Sequence, residues 1–216
     1  MSRERLALGG ALLLLTAGLS IWAALAERLP GDLELTRWLQ SLWWPGLTAL
    51  AEAFDFLGET RGAVVSIAVL FLLFWAAAGL REGLLLLPLF ALEALLVPGL
   101  KALVGVPRPS EALVTVAVQV EGTGFPSGHA VHAVLLFGLL ALLVGHWVRG
   151  ERLRAPLQMG LVLLVLLMGL SRPYLGAHWP SQVVGGFLVG LLLLVAFLEV
   201  RWRLRKVLKS HFLVVH

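Results

Sequence analysis

Twelve residues, SRPYLGAHWPSQ from Ser171 to Gln182, carry an arginine, a histidine, the single tyrosine of the chain and a tryptophan between two long apolar runs. Packing alone gives no reason to put that much polarity between membrane segments. Two other polar islands match it: Lys101 with Arg108-Pro109, and Pro126-Ser127-Gly128-His129. Together the islands offer three cations and two imidazoles. Phosphoryl transfer asks a protein for little else, because the work lies in positioning and in positive charge around the equatorial oxygens of phosphorus.

Each residue type suits a share of that work. Lys101 is a compact point charge at the end of an apolar run. Arg108 and Arg172 each precede a proline, which biases the backbone toward extended, and their planar forks can pair two phosphate oxygens at once. Ser127 stands where a following helix expects its N-cap. The free amides there make an anion site, and Gly128 lets an anion approach the backbone with no Cβ in the way. A neutral His178 can attack phosphorus and form a phosphohistidine. His129, in the first helical turn, can protonate the departing alkoxide and then activate water. His132 and His146 read as packing or hydrogen-bonding residues. Acids are nearly absent from the islands and no HExxH occurs, so the expected site uses no metal and no cofactor.

The elements that position these islands are set by composition. Hydrophobic residues make up 59% of the 216 and charged residues 14%, with mean hydropathy +0.92; soluble domains carry about 25% charge. The chain reads as an integral membrane protein. The absence of cysteine excludes disulfides, thioether-linked haem and cysteine-based zinc sites. A formal charge of +4 could suggest nucleic acid, but the cations sit at the ends of apolar runs, as membrane orientation requires. Six stretches approach the roughly 20 apolar residues of a spanning helix: 6–26, 62–79, 84–104, 130–148, 157–170 and 183–200, the fifth short unless it continues to Ser171 and Arg172. The expected fold is all-α, one bundle of six transmembrane helices with short interfacial helices.

With the N-terminus inside, the inner segments hold Arg3, Arg5, Arg81, Arg149, Arg152, Arg154, Arg201, Arg203, Arg205, Lys206 and Lys209; the outer ones hold Arg28, Arg37, Arg61, Lys101, Arg108 and Arg172. That bias puts both termini in the cytoplasm and all three islands on the opposite, extracytoplasmic side. Between the first two spans, residues 27–61 contain two amphipathic pieces; in the second, Leu47, Leu50, Ala51, Phe54 and Leu57 recur at helical spacing, so it should lie along the interface. Trp38, Trp43 and Trp44 fit an aromatic belt on that side, and Trp147 and Trp202 one on the other. Segment 110–125 reads as an extended lid or a short helix. The stretch 201–216 is a basic cytoplasmic tail suited to anionic lipid. Glu93 falls mid-span and reads as a hydrogen-bonded bundle residue or as a lining of the substrate cavity.

The islands resemble the signature of the type 2 phosphatidic acid phosphatase superfamily, K-x6-RP, PSGH and SR-x5-H-x3-D. Here it is written KALVGVPRP from Lys101 to Pro109, PSGH at 126–129 and SRPYLGAHWPSQ at 171–182. The trio, in this order and spacing, is specific, and it covers a motif core of 101–182 in a single transmembrane domain, 1–216. The resemblance implies that Lys101, Arg108, Ser127, Gly128, His129 and Arg172 bind phosphate or its transition state, with His178 as nucleophile and His129 as acid/base. It also implies metal independence and a lipid phosphate or pyrophosphate substrate.

One position departs from the signature: Gln182 stands where it has Asp. In the family that carboxylate orients the nucleophilic imidazole; in the related serine triad, Asp→Asn costs about 10⁴ in turnover through the wrong tautomer. The Gln182 carbonyl can accept from the imidazole N–H, or its amide can donate and fix the wrong tautomer. The expectation is therefore a phosphatase of phosphatidic acid, phosphatidylglycerophosphate or undecaprenyl pyrophosphate in a cytoplasmic membrane, slowed by Gln182. The competing readings are a lipid phosphotransferase with the same site and a non-catalytic lipid-phosphate binder or transporter.

Overall fold

The computed structural model describes residues 3–26 and 28–214, with side chains described for 7–26 and 28–207. Arg3, Arg5 and Lys209, used in the orientation count, lie outside the described side chains, as does the basic tail from residue 208 on. Among the described residues every regular element is helical. These are α1 (Arg3–Ala26), α2 (Asp32–Ser41), α3 (Pro45–Gly58), α4 (Thr60–Ala78), α5 (Leu80–Leu84), α6 (Leu86–Val104), α7 (Gly128–Trp147), α8 (Glu151–Tyr174) and α9 (Pro180–Val214).

Six apolar helical stretches among the described residues are long enough to cross a membrane: Ala7–Ala26, Thr60–Ala78, Leu80–Val104, Gly128–Trp147, Glu151–Tyr174 and Pro180–Val207. The expected bundle is present. Its fifth span is longer than the apolar run suggested: α8 continues through Arg172 and Pro173 to Tyr174. Arg172 is therefore helical, not extended; the rest of the bundle overrides the local bias imposed by the following proline.

The most enclosed helix is α7, whose Ala130 to Phe137 are buried in an unbroken row, packed by α8, α9 and α4. Van der Waals packing carries such contacts in lipid, so small residues gather where backbones approach. A Cβ on Gly190 would stand 2.7 Å from Val134 Cβ, and one on Gly186 2.5 Å from Ser127 O. Outward faces tell the opposite story: Leu14 is 75% exposed and Leu103 81%, which is what a lipid-facing surface requires.

The amphipathic pieces after the first span are α2 and α3. Pro45 opens α3 at a position where its missing N–H is no loss. The apolar face of α3 buries Ala51 and Phe54, and the helix lies against α8, α4 and α7. Trp38, Trp43 and Trp44 are exposed beside it. Segment 110–125 forms turns and bends with no regular helix or strand. It is pinned to the bundle by Ala117 N–H donating to Leu175 O and by Gln40, which bonds both the N–H and the C=O of Thr115.

At the other end, Arg201 and Arg205 both pair with Glu82 at 2.5 and 2.7 Å, and Arg203 pairs with Glu199 at 2.8 Å. The described start of the basic tail is thus a continuation of α9 whose arginines are already matched by acids.

Candidate active site

The three islands meet where α6 and α8 end and α7 and α9 begin. Ser127 N–H donates to Gln182 O, Gly124 N–H to Val106 O and Ala177 N–H to Arg172 O, so backbone bonds stitch the three loops together. The Thr123 hydroxyl donates to Lys101 O at 2.9 Å. His178, 2% exposed, sits at the centre.

Its two ring nitrogens have distinct partners. Arg108 Nη1 lies 2.9 Å from His178 Nε2 and also donates to Ala177 O. Arginine only donates, so Nε2 presents its lone pair. On the other side, Nδ1 lies 3.1 Å from Gln182 Oε1. The Gln182 amide nitrogen donates to Pro107 O at 2.8 Å, which fixes the side chain with its carbonyl toward the histidine and leaves Nδ1 as the donor. Of the two orientations open to Gln182, the structure has the one that frees Nε2. Burial, and after it the charges of Arg108, Arg172 and Lys101, push His178 well below the usual histidine range. Arg108 is brought down to about 10 by burial and then by Arg172, so it stays charged at neutral pH.

Around His178 lie buried polar atoms with no partner among the described residues: Arg108 Nε, Arg172 Nε and Nη2, and Ser127 Oγ. Arg172 and Ser127 are both fully buried. Unpaired buried donors are rare and costly, and these converge. Ser127 does occupy the N-cap position of α7, but its side chain makes no cap bond, so the hydroxyl is left over. Beside it, a Cβ built on Gly128 would meet only Val97 Cγ1, in ordinary contact at 3.5 Å. Lys101, on the last turn of α6, adds its charge from the rim.

The structure adds an acid from outside the islands. Asp55, near the end of α3, bonds Arg172 Nη1 through Oδ1; the same oxygen is 3.1 Å from His129 Nε2, and the Asp55 carbonyl oxygen is 3.0 Å away. Its carboxyl is held below the usual carboxylate range by the His129 hydrogen bond first and, against burial, by Arg172. Sequence reasoning treated this helix as a membrane anchor. The available signal was an acid one residue past Phe54, at the edge of an otherwise apolar stripe. Asp32 was missed too: its carboxylate accepts from Ser181 N–H and Oγ at 2.8 and 2.7 Å, closing the start of α9.

Two residues read as structural are placed accordingly. His132 lies 2.9 Å from Ser66 Oγ and 3.4 Å from Glu93, one turn below His129; Glu93 is thus hydrogen-bonded within the bundle. His146 lies 3.2 Å from Ala77 O.

Six spans with an anion-shaped cluster of cations and imidazoles at one end define a class of membrane phosphoryl-transfer proteins. A family model described as the PAP2 superfamily matches residues 82–206; the chain belongs to that superfamily. It is 34% identical over 113 residues to phosphatidylglycerophosphatase B of Bacillus subtilis, which covers 52% of this chain and 54% of that one. It is 35% identical over 101 residues to the glucose-6-phosphatase catalytic subunit 1 of Bos taurus, covering 43% of this chain and 28% of the relative. The matched part thus spans about half or less of these relatives. Among solved structures, the transmembrane PAP2-type phosphatidylglycerolphosphate phosphatase of Bacillus subtilis superposes with TM-score 0.75 at 24% identity, covering 89% of this chain and 96% of that one. LpxE of Aquifex aeolicus superposes at 0.64 with 27% identity, covering 81% and 98%.

Proposed function

We propose that this chain is a phosphatase of membrane lipid phosphates or pyrophosphates, working through a phosphohistidine on His178. One observation carries the reading: four buried, unpartnered polar atoms of Arg108, Arg172 and Ser127 lie around the imidazole whose Nε2 lone pair faces Arg108. A tetrahedral anion supplies every missing partner at once.

In the first step the phosphate takes up the Arg172 fork, Arg108 and Ser127, and draws Arg108 off His178. Nε2 then attacks; the N–P bond forms as the P–O bond to the lipid breaks, and His129 gives its proton to the leaving oxygen. In the second, His129 takes a proton from water, whose oxygen attacks phosphorus; the P–N bond breaks and phosphate leaves. Cations spread around the equatorial oxygens stabilise both transition states.

The surroundings fit an amphiphilic substrate. An apolar cavity of about 260 Å³ lies between α2, α3 and α8, lined by Trp38, Leu42, Leu50, Phe54, Leu167 and Tyr174. It is next to Asp55 and Arg172, and so could take an acyl or isoprenoid chain. A polar opening of about 310 Å³ lies at Arg108, Ser110, Glu111, Gln119 and Gly176. The test is phosphate release in detergent, with EDTA, over phosphatidic acid, phosphatidylglycerophosphate and undecaprenyl pyrophosphate. Release from at least one lipid, abolished by His178→Ala, is expected. Lipid binding without turnover would make the chain a binder, and phosphate passed to an added alcohol would make it a transferase.

A further inference from the structure

The signature's carboxylate is missing beside His178, yet the site does hold a carboxylate–imidazole couple, at His129. His129 Nε2 faces two oxygens of Asp55, the carboxylate Oδ1 at 3.1 Å and the backbone carbonyl at 3.0 Å. Both only accept, so Nε2 carries the hydrogen. Among the described residues Nδ1 has no hydrogen-bond partner, and it is the nitrogen left for the reacting oxygen. The couple is held rigidly: a Cβ on Gly58 would stand 2.1 Å from the His129 ring, so α3 lies directly on the imidazole.

We propose that Asp55 is the positioning residue of the acid/base, holding the His129 ring with Nδ1 turned toward the leaving group it must protonate. This rests on the phosphatase reading above. The electrostatic problem it solves is plain. Arg172 on α8 and His178 on the following turn face His129, with Lys101 on α6 and Arg108 just beyond. His132 and the carboxylate of Glu93 form a separate pair one turn deeper, and Glu59 acts on Arg172 from the α3–α4 junction. A cationic field strong enough to hold phosphate also disfavours any further positive charge beside it. The Asp55 carboxylate opposes that field at contact distance, and by taking Arg172 Nη1 it leaves the Nε–Nη2 edge of the guanidinium for phosphate. The chain thus has an amide on its nucleophile, where the signature has a carboxylate, and a carboxylate on its acid.

The step that depends on Asp55 is P–O cleavage. As the bond to the lipid oxygen breaks, its electron pair stays on oxygen and the Nδ1 proton of His129 moves to it; an aryloxide leaves without that proton. The experiment compares an alkyl lipid phosphate with 4-nitrophenyl phosphate in the full-length chain and in Asp55→Asn. General acid catalysis is worth about 10²–10⁴, so kcat for the alkyl ester should fall at least about tenfold more than kcat for the aryl ester. The alkaline limb of the alkyl profile should also move lower, because the carboxylate that favours a charged imidazole is gone. Asp55→Glu should restore part of the difference. Equal losses on both esters with an unmoved limb would show a merely structural residue. If the unaltered chain releases phosphate from neither ester, the phosphatase reading fails on its own. The Asp55 assignment is then decided by ¹⁵N NMR of the histidine rings, with His129 identified through His129→Gln. A lower midpoint for His129 in Asp55→Asn supports it; an unchanged midpoint overturns it.

Discussion

Gln182 uses both ends of its amide, and that decides what exchanging it will do. The carbonyl accepts from His178 and from Trp179 N–H, while the nitrogen donates to Pro107 O. Gln182→Asp keeps an acceptor beside His178 and makes it charged, but leaves Pro107 O without its donor. One neutral hydrogen bond is worth about 1 kcal/mol, or about 2–4 °C in a chain of this length. A carboxylate behind the general-base imidazole of the serine triad is worth up to about 10⁴ in turnover. The charge should dominate the rate and the lost bond the stability, so phosphate release should rise at least about tenfold while Tm falls by a few degrees. An unchanged rate would mean that the amide already orients His178 as well as a carboxylate can. The depressed His178 gives a second expectation. Protonation silences the nucleophile, and its folded value lies below about 6.5. The acid limb of activity should therefore lie below that value. Unfolded chains, by contrast, bind this proton near 6.5, so stability should already decline as pH drops below it. Activity and Tm measured from pH 8 to 5 check both; an acid limb at 7 would contradict a neutral, buried imidazole.

Among the elements, the spans could be read from hydropathy because lipid demands long apolar helices regardless of neighbours. The islands could be read because cations and histidines between such helices have no packing purpose. What the sequence did not disclose is what α2 and α3 do with their inner faces. A membrane-lying amphipathic helix and a helix capping an active site show the same apolar periodicity. They differ by one residue at the edge of the stripe, here Asp55, whose partners Arg172 and His129 lie more than seventy positions away. The proline after Arg172 misled for a related reason, since packing of α8 against α7 and α3 keeps the helix going where local preference would end it. Gly58 makes the role of α3 measurable. Gly58→Ala adds one methyl that overlaps the pinned His129 ring, so either the ring or the helix must shift. Phosphate release should fall at least about tenfold, because displacements near 1 Å already cost about 10². Span insertion and detergent-solubilised yield should stay normal. Full activity in Gly58→Ala would show that α3 can move away without affecting the acid/base.

At the scale of the molecule, the bundle is polarised. One end gathers imidazoles and cations with unpartnered donor atoms under a cover of short helices; at the other, Glu82 pairs with Arg201 and Arg205 and Glu199 with Arg203. From the lysine and arginine bias we propose that the first end lies outside the cell membrane and the second in the cytoplasm, an arrangement suited to substrates whose headgroups have crossed the bilayer. The chain contains no cysteine, so single cysteines can test this directly. Val120, 41% exposed on the loop over the site, and Leu153, 59% exposed at the start of α8, lie at opposite ends of the bundle. In spheroplasts, a membrane-impermeant maleimide should label Val120→Cys and leave Leu153→Cys unlabelled until the membrane is opened. The reverse pattern would invert the topology and put the phosphate-handling end in the cytoplasm. The ion pairs between α5 and α9 would then face outward, against the charge rule that oriented the chain.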